Sequence, residues 1–326
     1  MEIYEAHRLV YHYTSIEGLE GILSSNSFWA THYKDLNDYT ECKLFKDYAA
    51  RKLLQPFLKA IKEIKKDLTF SKQQLLKRKG IFAIAKHETN ALVNAIYNVS
   101  FEGIDDKGKY VDPFIVSFCS HKNDDNYTQQ NGLLSQWRGY AEGGGVAIVF
   151  DTKKLTELMF AEIRTHGYTA HGFGDVVYQG EEEKECEEFG SFIEIIGRHT
   201  ESYLRGENPK TGHYFGKFVA NATRYKHRAF KEEREVRLMF SPVTEDFMKL
   251  EGETEEDFPS GSMKPVLTRD RAGKEIKYIS VFGTKRLPVK KVIVGPCADP
   301  KGNLERVKKI VGERAPVILS DTPFIP

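Results

Sequence analysis

Residues 8–17 read Arg-Leu-Val-Tyr-His-Tyr-Thr-Ser-Ile-Glu, RLVYHYTSIE. The apolar start predicts a short strand over 8–13. Thr14-Ser15-Ile16-Glu17 then spells a capping box, with Thr14 as N-cap and Glu17 reaching back. Ile16, Leu19, Ile22 and Leu23 share one helical face, and Asn26 marks the stop. Ser27-Phe28-Trp29-Ala30-Thr31 has strand composition, so the chain opens as strand, helix, strand. On the first strand His12 and Thr14 project to one side while Tyr13 faces away. The plain reading of His12 is a half-buried imidazole satisfied by a backbone carbonyl. The functional reading is an imidazole donor beside a hydroxyl, orienting a ligand.

Outward from this unit, the loop HYKDLNDYTE carries Asn37-Asp38, a turn signal before a helix beginning near Tyr39. Apolar positions from Leu44 to Ile64 keep a helical period to about Asp67, and a second helical stretch covers about 72–97. FIVSFCS (114–120) predicts a strand, HKNDDNYTQQNG a polar mobile loop, 133–141 a short helical turn, and VAIVFD another strand. Residues 152–163 and 182–230 read as mainly helical, with a strand at 174–178. Strand-like YISVFG, VKKVIVG and PVILS complete the tail around an amphipathic segment at 301–312. The pattern is that of an α+β protein with a mixed sheet, read as a single domain over 1–326 with helical insertions at about 41–110 and 182–230.

The chain has 326 residues, 48 Lys and Arg against 47 Asp and Glu, and a formal charge of +1, so no global field marks it for nucleic acid or membrane. No run of about 18 apolar residues occurs, and the amino terminus lacks a basic and an apolar leader region, which predicts a cytoplasmic protein without a membrane partner. Cys42, Cys119, Cys186 and Cys297 lie far apart, without CxxC or nearby His, so no metal site or disulfide framework is expected. The most basic local concentration is Lys and Arg at 52, 59, 62, 65, 66, 72, 77, 78 and 79. It reads as a solvated helix face, or as a nucleic-acid-binding one.

Two further stretches carry chemistry. In Phe230-Lys231-Glu232-Glu233-Arg234-Glu235-Val236-Arg237-Leu238, a strand would place Glu233, Glu235 and Arg237 on one face. That trio is either an exposed salt-bridge ladder or a catalytic carboxylate held by a second carboxylate and a guanidinium; a short helical segment is the alternative conformation. Ser135-Gln136-Trp137-Arg138-Gly139-Tyr140-Ala141 leads into Gly143-Gly144-Gly145. Trp137 reads as a core anchor, Arg138 as a possible phosphate ligand, and the glycines as a hairpin, since their spacing fits neither a dinucleotide fingerprint nor a Walker loop.

The islands YHYTS with IEGLEGIL and FWATHYKDLNDYTE, VSFCS with LLSQWRGYAEGGGVAIVF, and YKHRAFKEEREVRL occur together and in order. Together they resemble a large uncharacterised bacterial domain family that looks like a distant branch of the ADP-ribosyltransferase superfamily. The resemblance implies an ADP-ribosyltransferase-like split, twisted mixed β-sheet with NAD⁺ held as co-substrate in the cleft. It assigns His12 to ribose hydroxyls with Thr14 nearby, Glu235 to the catalytic glutamate of a Glu-x-Glu element, and Glu233 to the acceptor. Arg237, Arg138 and the Asn37-Asp38 loop would shape the cleft, and Tyr13, Trp29 or Tyr33 would stack on nicotinamide. The middle-strand Ser-Thr-Ser-type element of that superfamily is not identified.

The residue types suit the chemistry. Cleaving nicotinamide from ribose develops positive charge that one carboxylate stabilises, while a second takes the acceptor's proton. The expectation is transfer of ADP-ribose to a macromolecule, RNA or DNA before protein, by a toxin or phage-defence effector with a possible antitoxin partner. The competing expectations are a non-catalytic nucleotide-sensing or protein-interaction module, and a metal-dependent nuclease, which the guanidinium within the acidic trio disfavours.

Overall fold

A computed structural model describes residues 2–36, 41–102, 112–141, 143–207, 212–245, 248, 263–271 and 273–323. The opening unit folds as its pattern predicts: β1 (Leu9–Thr14) follows a short helix α1 (Ile3–Ala6), and α2 (Ile16–Ser25) leads to β2 (Ser27–His32). Asn26 ends α2 in the left-handed region at φ 50°. The cap differs by one residue from the expectation. Ser15 is the N-cap, its hydroxyl accepting from Gly18 N at 3.1 Å, because β1 runs on through Thr14 and keeps that residue extended.

Two long helices follow, α3 (Glu41–Glu63) and α4 (Phe70–Tyr97), the latter kinked at Gly80, whose φ is 79°. The middle of the chain forms β3 (Phe114–Cys119), α5 (Asn126–Asn131), α6 (Leu134–Tyr140), β4 (Val146–Asp151), α7 (Thr152–Thr165), β5 (Tyr168–Asp175) and β6 (Val177–Tyr178). Helices α8 (Glu182–Arg198), α9 (Thr200–Arg205) and α10 (Gly212–Ala222) then precede β7 (Tyr225–Lys226), β8 (Glu235–Pro242), β9 (Leu267–Arg271), β10 (Lys274–Phe282), β11 (Val289–Val294), α11 (Pro300–Val311) and β12 (Val317–Leu319). The stretch expected as a mobile loop after β3 is in part the helix α5, capped by Asp125, whose side chain accepts from Thr128 N. The glycines 143–145 form a helix-to-strand turn between α6 and β4 rather than a hairpin. Gly145 is required there because its Cα lies against the Thr14 carbonyl and Ala141, where a Cβ has no room.

Ten strands form one mixed sheet in the order β12-β11-β4-β1-β3-β2-β10-β9, with β8 joined to β3 and β5 joined to β8. Among the described residues two strand pairs are parallel, β11–β12 in this sheet and β6–β7 in a separate small one. One edge of β3 pairs with β8 along its whole length, from Phe114↔Phe240 to Cys119↔Glu235. Its other edge is shared: β1 meets it at Tyr11↔Cys119, whereas β2 meets it at Ile115 and Phe114. Between these contacts, among the described residues, Val116, Ser117 and Phe118 have no strand partner on that side. The sheet is therefore parted between β1 and β2, with β3 as the bridge.

Alternation distributes the side chains to two cores. Val10, Phe28, Phe118, Ile148, Leu238 and Val292 fill one face beneath α2, α7 and α11. On the other, Phe45, Phe57, Phe189, Phe192 and Phe218 join Ile115 and Met239 in one cluster. Of the stretches expected as insertions at 41–110 and 182–230, the described helices α3, α4, α8 and α10 thus pack against each other and against the sheet. A smaller cluster around Trp137, only 1% exposed, covers Tyr11, Tyr13 and Cys119.

Candidate active-site cleft

The parting of the sheet opens into a cleft of about 830 Å³ lined by residues from β1, α2, β2, β3, α6, β7, β8 and β9. That volume lies in the range of sites that hold small molecules and cofactors. His12, Thr14, Glu233 and Glu235 all border it, together with Glu41, Ser117, Tyr140, Lys226 and Arg237.

At its centre is a network of five charges. Arg237, 2% exposed, donates from Nε to Glu235 Oε1 at 2.7 Å and from Nη2 to Glu235 Oε2 at 2.9 Å. It also donates from Nη2 to Glu41 Oε1 at 2.8 Å, and from Nη1 to Glu41 Oε2 and to the Thr223 carbonyl. All five guanidinium donors are committed within the protein. Lys226 Nζ bridges Glu233 Oε2 at 2.6 Å and Glu235 Oε2 at 3.0 Å. Glu233 additionally accepts from the Tyr140 hydroxyl at 3.1 Å. Three carboxylates against two cations leave one net negative charge at this end of the cleft.

Burial alone would raise the Glu235 carboxyl, but the charges of Arg237 and Lys226 outweigh it and hold the group down at about 2. Hydrogen bonds from Arg237 and the Ser117 hydroxyl reinforce this. Burial dominates at Glu41, whose carboxyl is raised despite Arg237. The Lys226 ammonium loses to burial but gains more from Glu235, Glu41 and Glu233, so its proton is held more tightly than usual. Burial pushes the Cys119 thiol up to about 12, which leaves no thiolate for nucleophilic work.

The strand reading of the run 230–238 needs correction at its start, where the helical alternative holds. Residues Arg228–Glu233 form a 3₁₀ turn, Arg234 is left-handed at φ 47°, and β8 begins at Glu235. Glu233 reaches Glu235's neighbourhood through this turn, not through strand alternation. The turn is held by Ser120 N donating to the Arg234 carbonyl at 2.9 Å and by the ion pair of Arg234 with Asp124.

The other expected ligand residues divide. The His12 ring donates from Nδ1 to the unpaired Ser117 carbonyl at 2.9 Å, so the plain reading of this residue holds. Burial lowers its pKa, and the neutral ring with hydrogen on Nδ1 leaves Nε2 an acceptor, not the donor anticipated. Register puts Tyr11, Cys119 and Glu235 on one sheet face and hence His12 and Thr14 on the opposite one; both sets reach the cleft because the sheet is parted. Tyr13 borders the cleft, but its ring packs edge-on to Trp137 at 4.8 Å, with its hydroxyl bonded to His121 and Leu133 N, which removes it as a stacking surface. Tyr33 is buried, its hydroxyl on the Phe101 carbonyl. Arg138 is exposed and does not line the cleft. On α6 the lining positions are Gln136, Gly139 and Tyr140, an i, i+3, i+4 face that points position 138 elsewhere. Asn37 lies outside the described residues, and so does Asp38. Arg237 holds carboxylates and has no donor left for a ligand.

Sequence reasoning missed Lys226, Glu41 and Tyr140. Lys226 stands in the island YKHRAF, where it reads as one of several basic residues, Lys226-His227-Arg228, and its burial is not legible. Glu41 reads only as a helix start. Among the described residues, no group of three or more His, Cys, Asp or Glu side chains is placed to hold a metal ion, and no helix is long and apolar enough to cross a membrane.

A family described as "Protein of unknown function (DUF2971)" matches residues 136–238. The matched segment runs from Gln136 through Tyr140, Lys226 and Glu233 to Glu235 and Arg237, so it carries most of the charged network and none of β1. No curated protein and no solved structure matches the chain.

Proposed function

We propose that this protein transfers ADP-ribose from NAD⁺ to a macromolecular acceptor, using an ADP-ribosyltransferase-like parted sheet as the binding cleft. The observation that carries the reading is the Glu235 carboxylate, kept ionised and immobile by Arg237 and Lys226 on the wall of a cleft that also receives His12 and Thr14. A fixed anion of this kind needs no reorganisation to stabilise positive charge developing at a ribose carbon. NAD⁺ supplies an ADP-ribosyl group on a cationic leaving group, matched in sign to the net negative end of the cleft. His12 Nε2 and the Thr14 hydroxyl are suited to ribose hydroxyls. Glu233, whose side chain is 21% exposed, is the carboxylate at the cleft surface that would take the acceptor's proton. In balance, the nicotinamide–ribose bond breaks, the acceptor–ribose bond forms, and the acceptor's proton passes to Glu233. A role as a toxin or phage-defence effector, with an antitoxin partner, accords with this chemistry.

One observation favours a second reading. Lys226 fills the space between Glu233 and Glu235, as it would in a module that binds a nucleotide without turning it over. Incubating the protein with labelled NAD⁺ and a cell extract, then digesting separately with nuclease and protease, decides between them. Transfer predicts macromolecular label that disappears with Glu235→Gln. Absence of label from wild type, with NAD⁺ bound but intact, would establish the binding module instead.

A further inference from the structure

The cleft has a second charged region that the transfer chemistry does not use. Arg269 and Arg271 lie two apart on β9, the edge strand, and both line the cleft. The Arg269 guanidinium sits 5.1 Å from the Trp29 ring centroid and 5.8 Å from that of Tyr278, and the two rings are themselves 4.8 Å apart. Its Nη2 reaches Thr31 Oγ1 at 3.5 Å, while Nε is buried with no hydrogen-bond partner. Among the described residues neither arginine has a carboxylate partner, whereas the cations at the other end are fully paired. Burial, and then the neighbouring Arg271 charge, press the Arg269 pKa down, as expected of two like charges without a counterion.

Register places this region on the same sheet face as the carboxylates. Thr31 pairs with Ile115, Ser280 with Trp29, Tyr278 with Thr31 and Ile276 with Arg269, so Trp29, Tyr278, Arg269, Ser117 and Glu235 all project to one side. From β8 to β9 is four strand spacings, about 19 Å along the sheet. Trp29 is 48% exposed, and Arg271's cross-strand partner Lys274 is paired with Asp35 at 2.9 Å, so it adds no free charge to that of the two arginines. A ligand confined to the cleft would not need this outer part. None of the basic residues at 52–79 lines the cleft.

We propose that Trp29, Tyr278, Arg269 and Arg271 form a platform for single-stranded nucleic acid, a base stacking on the aromatic–guanidinium surface and phosphates pairing with the two arginines. Its role as the acceptor site rests on the transferase reading above; its existence as a binding site does not. The test is fluorescence anisotropy of a short labelled single-stranded RNA or DNA with the full chain, between about 50 and 200 mM salt. Wild type should bind with a salt-dependent affinity. The double variant Arg269→Gln/Arg271→Gln should bind more weakly, with a log–log salt slope shallower by about 1.4, since each lost phosphate contact on a single strand removes about 0.7. Trp29→Leu should weaken binding at least about fivefold, and Trp29→Phe should restore most of it. No binding by wild type, or an unchanged slope in the double variant, would overturn the platform. So would a loss of NAD⁺ affinity, by calorimetry, as large as the loss for the oligonucleotide, which would give the arginines to the dinucleotide. If oligonucleotide binding behaves as expected but wild type transfers no label from NAD⁺, the platform stands and the transferase reading falls.

Discussion

Arg237→Met removes the guanidinium on which the charged network depends. Glu41 and Glu235, 4% and 6% exposed, would keep only the Lys226 ammonium as a cationic partner, 3.7 Å from Glu41 Oε1 and 3.0 Å from Glu235 Oε2. The Thr223 carbonyl would lose a donor as well. Uncoupling a buried ion pair from one side costs about 3–5 kcal/mol, because a desolvated charge is left uncompensated. The cost depends on pH with a definite sign. Without Arg237, burial raises the carboxyls above their unfolded values, so folding takes up protons and the variant recovers stability as pH falls. The variant should therefore be more stable at pH 5 than at pH 8, gaining up to about 1.4 kcal/mol per pH unit wherever a raised carboxyl titrates. Urea denaturation of wild type and variant at both pH values measures this directly. The double variant Arg237→Met/Glu41→Gln, with one like charge removed, should be more stable than the single one at pH 8. A loss under about 1 kcal/mol at pH 8, or an equal loss at both pH values, would refute the view that Arg237 holds two ionised carboxylates in the interior.

Two other outcomes follow from the same geometry. Glu235 has its folded-state pKa depressed from 4.5 to about 2, so it contributes stability above its unfolded value that is lost as pH falls toward 2. That contribution is about 3 kcal/mol at most, and acid titration of Glu235→Gln should show a correspondingly shallower decline between pH 5 and 2. Gly145→Ala would press a methyl group against the Thr14 carbonyl and within 2.8 Å of Ala141 Cβ. A destabilisation of about 1–3 kcal/mol by urea denaturation is expected, since the obstructing atoms include backbone; a neutral result would mean that the turn after α6 shifts freely.

Much of the architecture is legible in the chain because alternation and helical period are local properties. RLVYHY, SFWAT, FIVSFC, VAIVFD and VKKVIV carry enough apolar residues to specify strands, and Trp137 anchors a core wherever it lies. The candidate carboxylates were legible as well, since a Glu-x-Glu-x-Arg run is conspicuous at any conformation. Local pattern fixes which face a residue takes but not what that face meets. The αL turn at Arg234, which brings Glu233 to Lys226, has no glycine to announce it. Arg138 looked like a ligand until the neighbours of α6 chose the 136, 139, 140 face as its inner one.

The sequence by itself determined the opening strand-helix-strand unit, the long helices and most strands of the sheet, the mixed α+β character and the placement of acidic chemistry around the start of β8. It does not reveal α5 or β9, and its pattern reads as one strand at 174–178 where β5 (Tyr168–Asp175) and β6 (Val177–Tyr178) lie. Tertiary structure alone decided that β1 and β2 grip opposite ends of β3 and leave a gap between them. It also recruited Glu41, 196 residues from its partner Arg237, to the buried network. The physical reason is that strand register and the pairing of buried charges depend on contacts distant in sequence, whose energies exist only once the chain has closed upon itself.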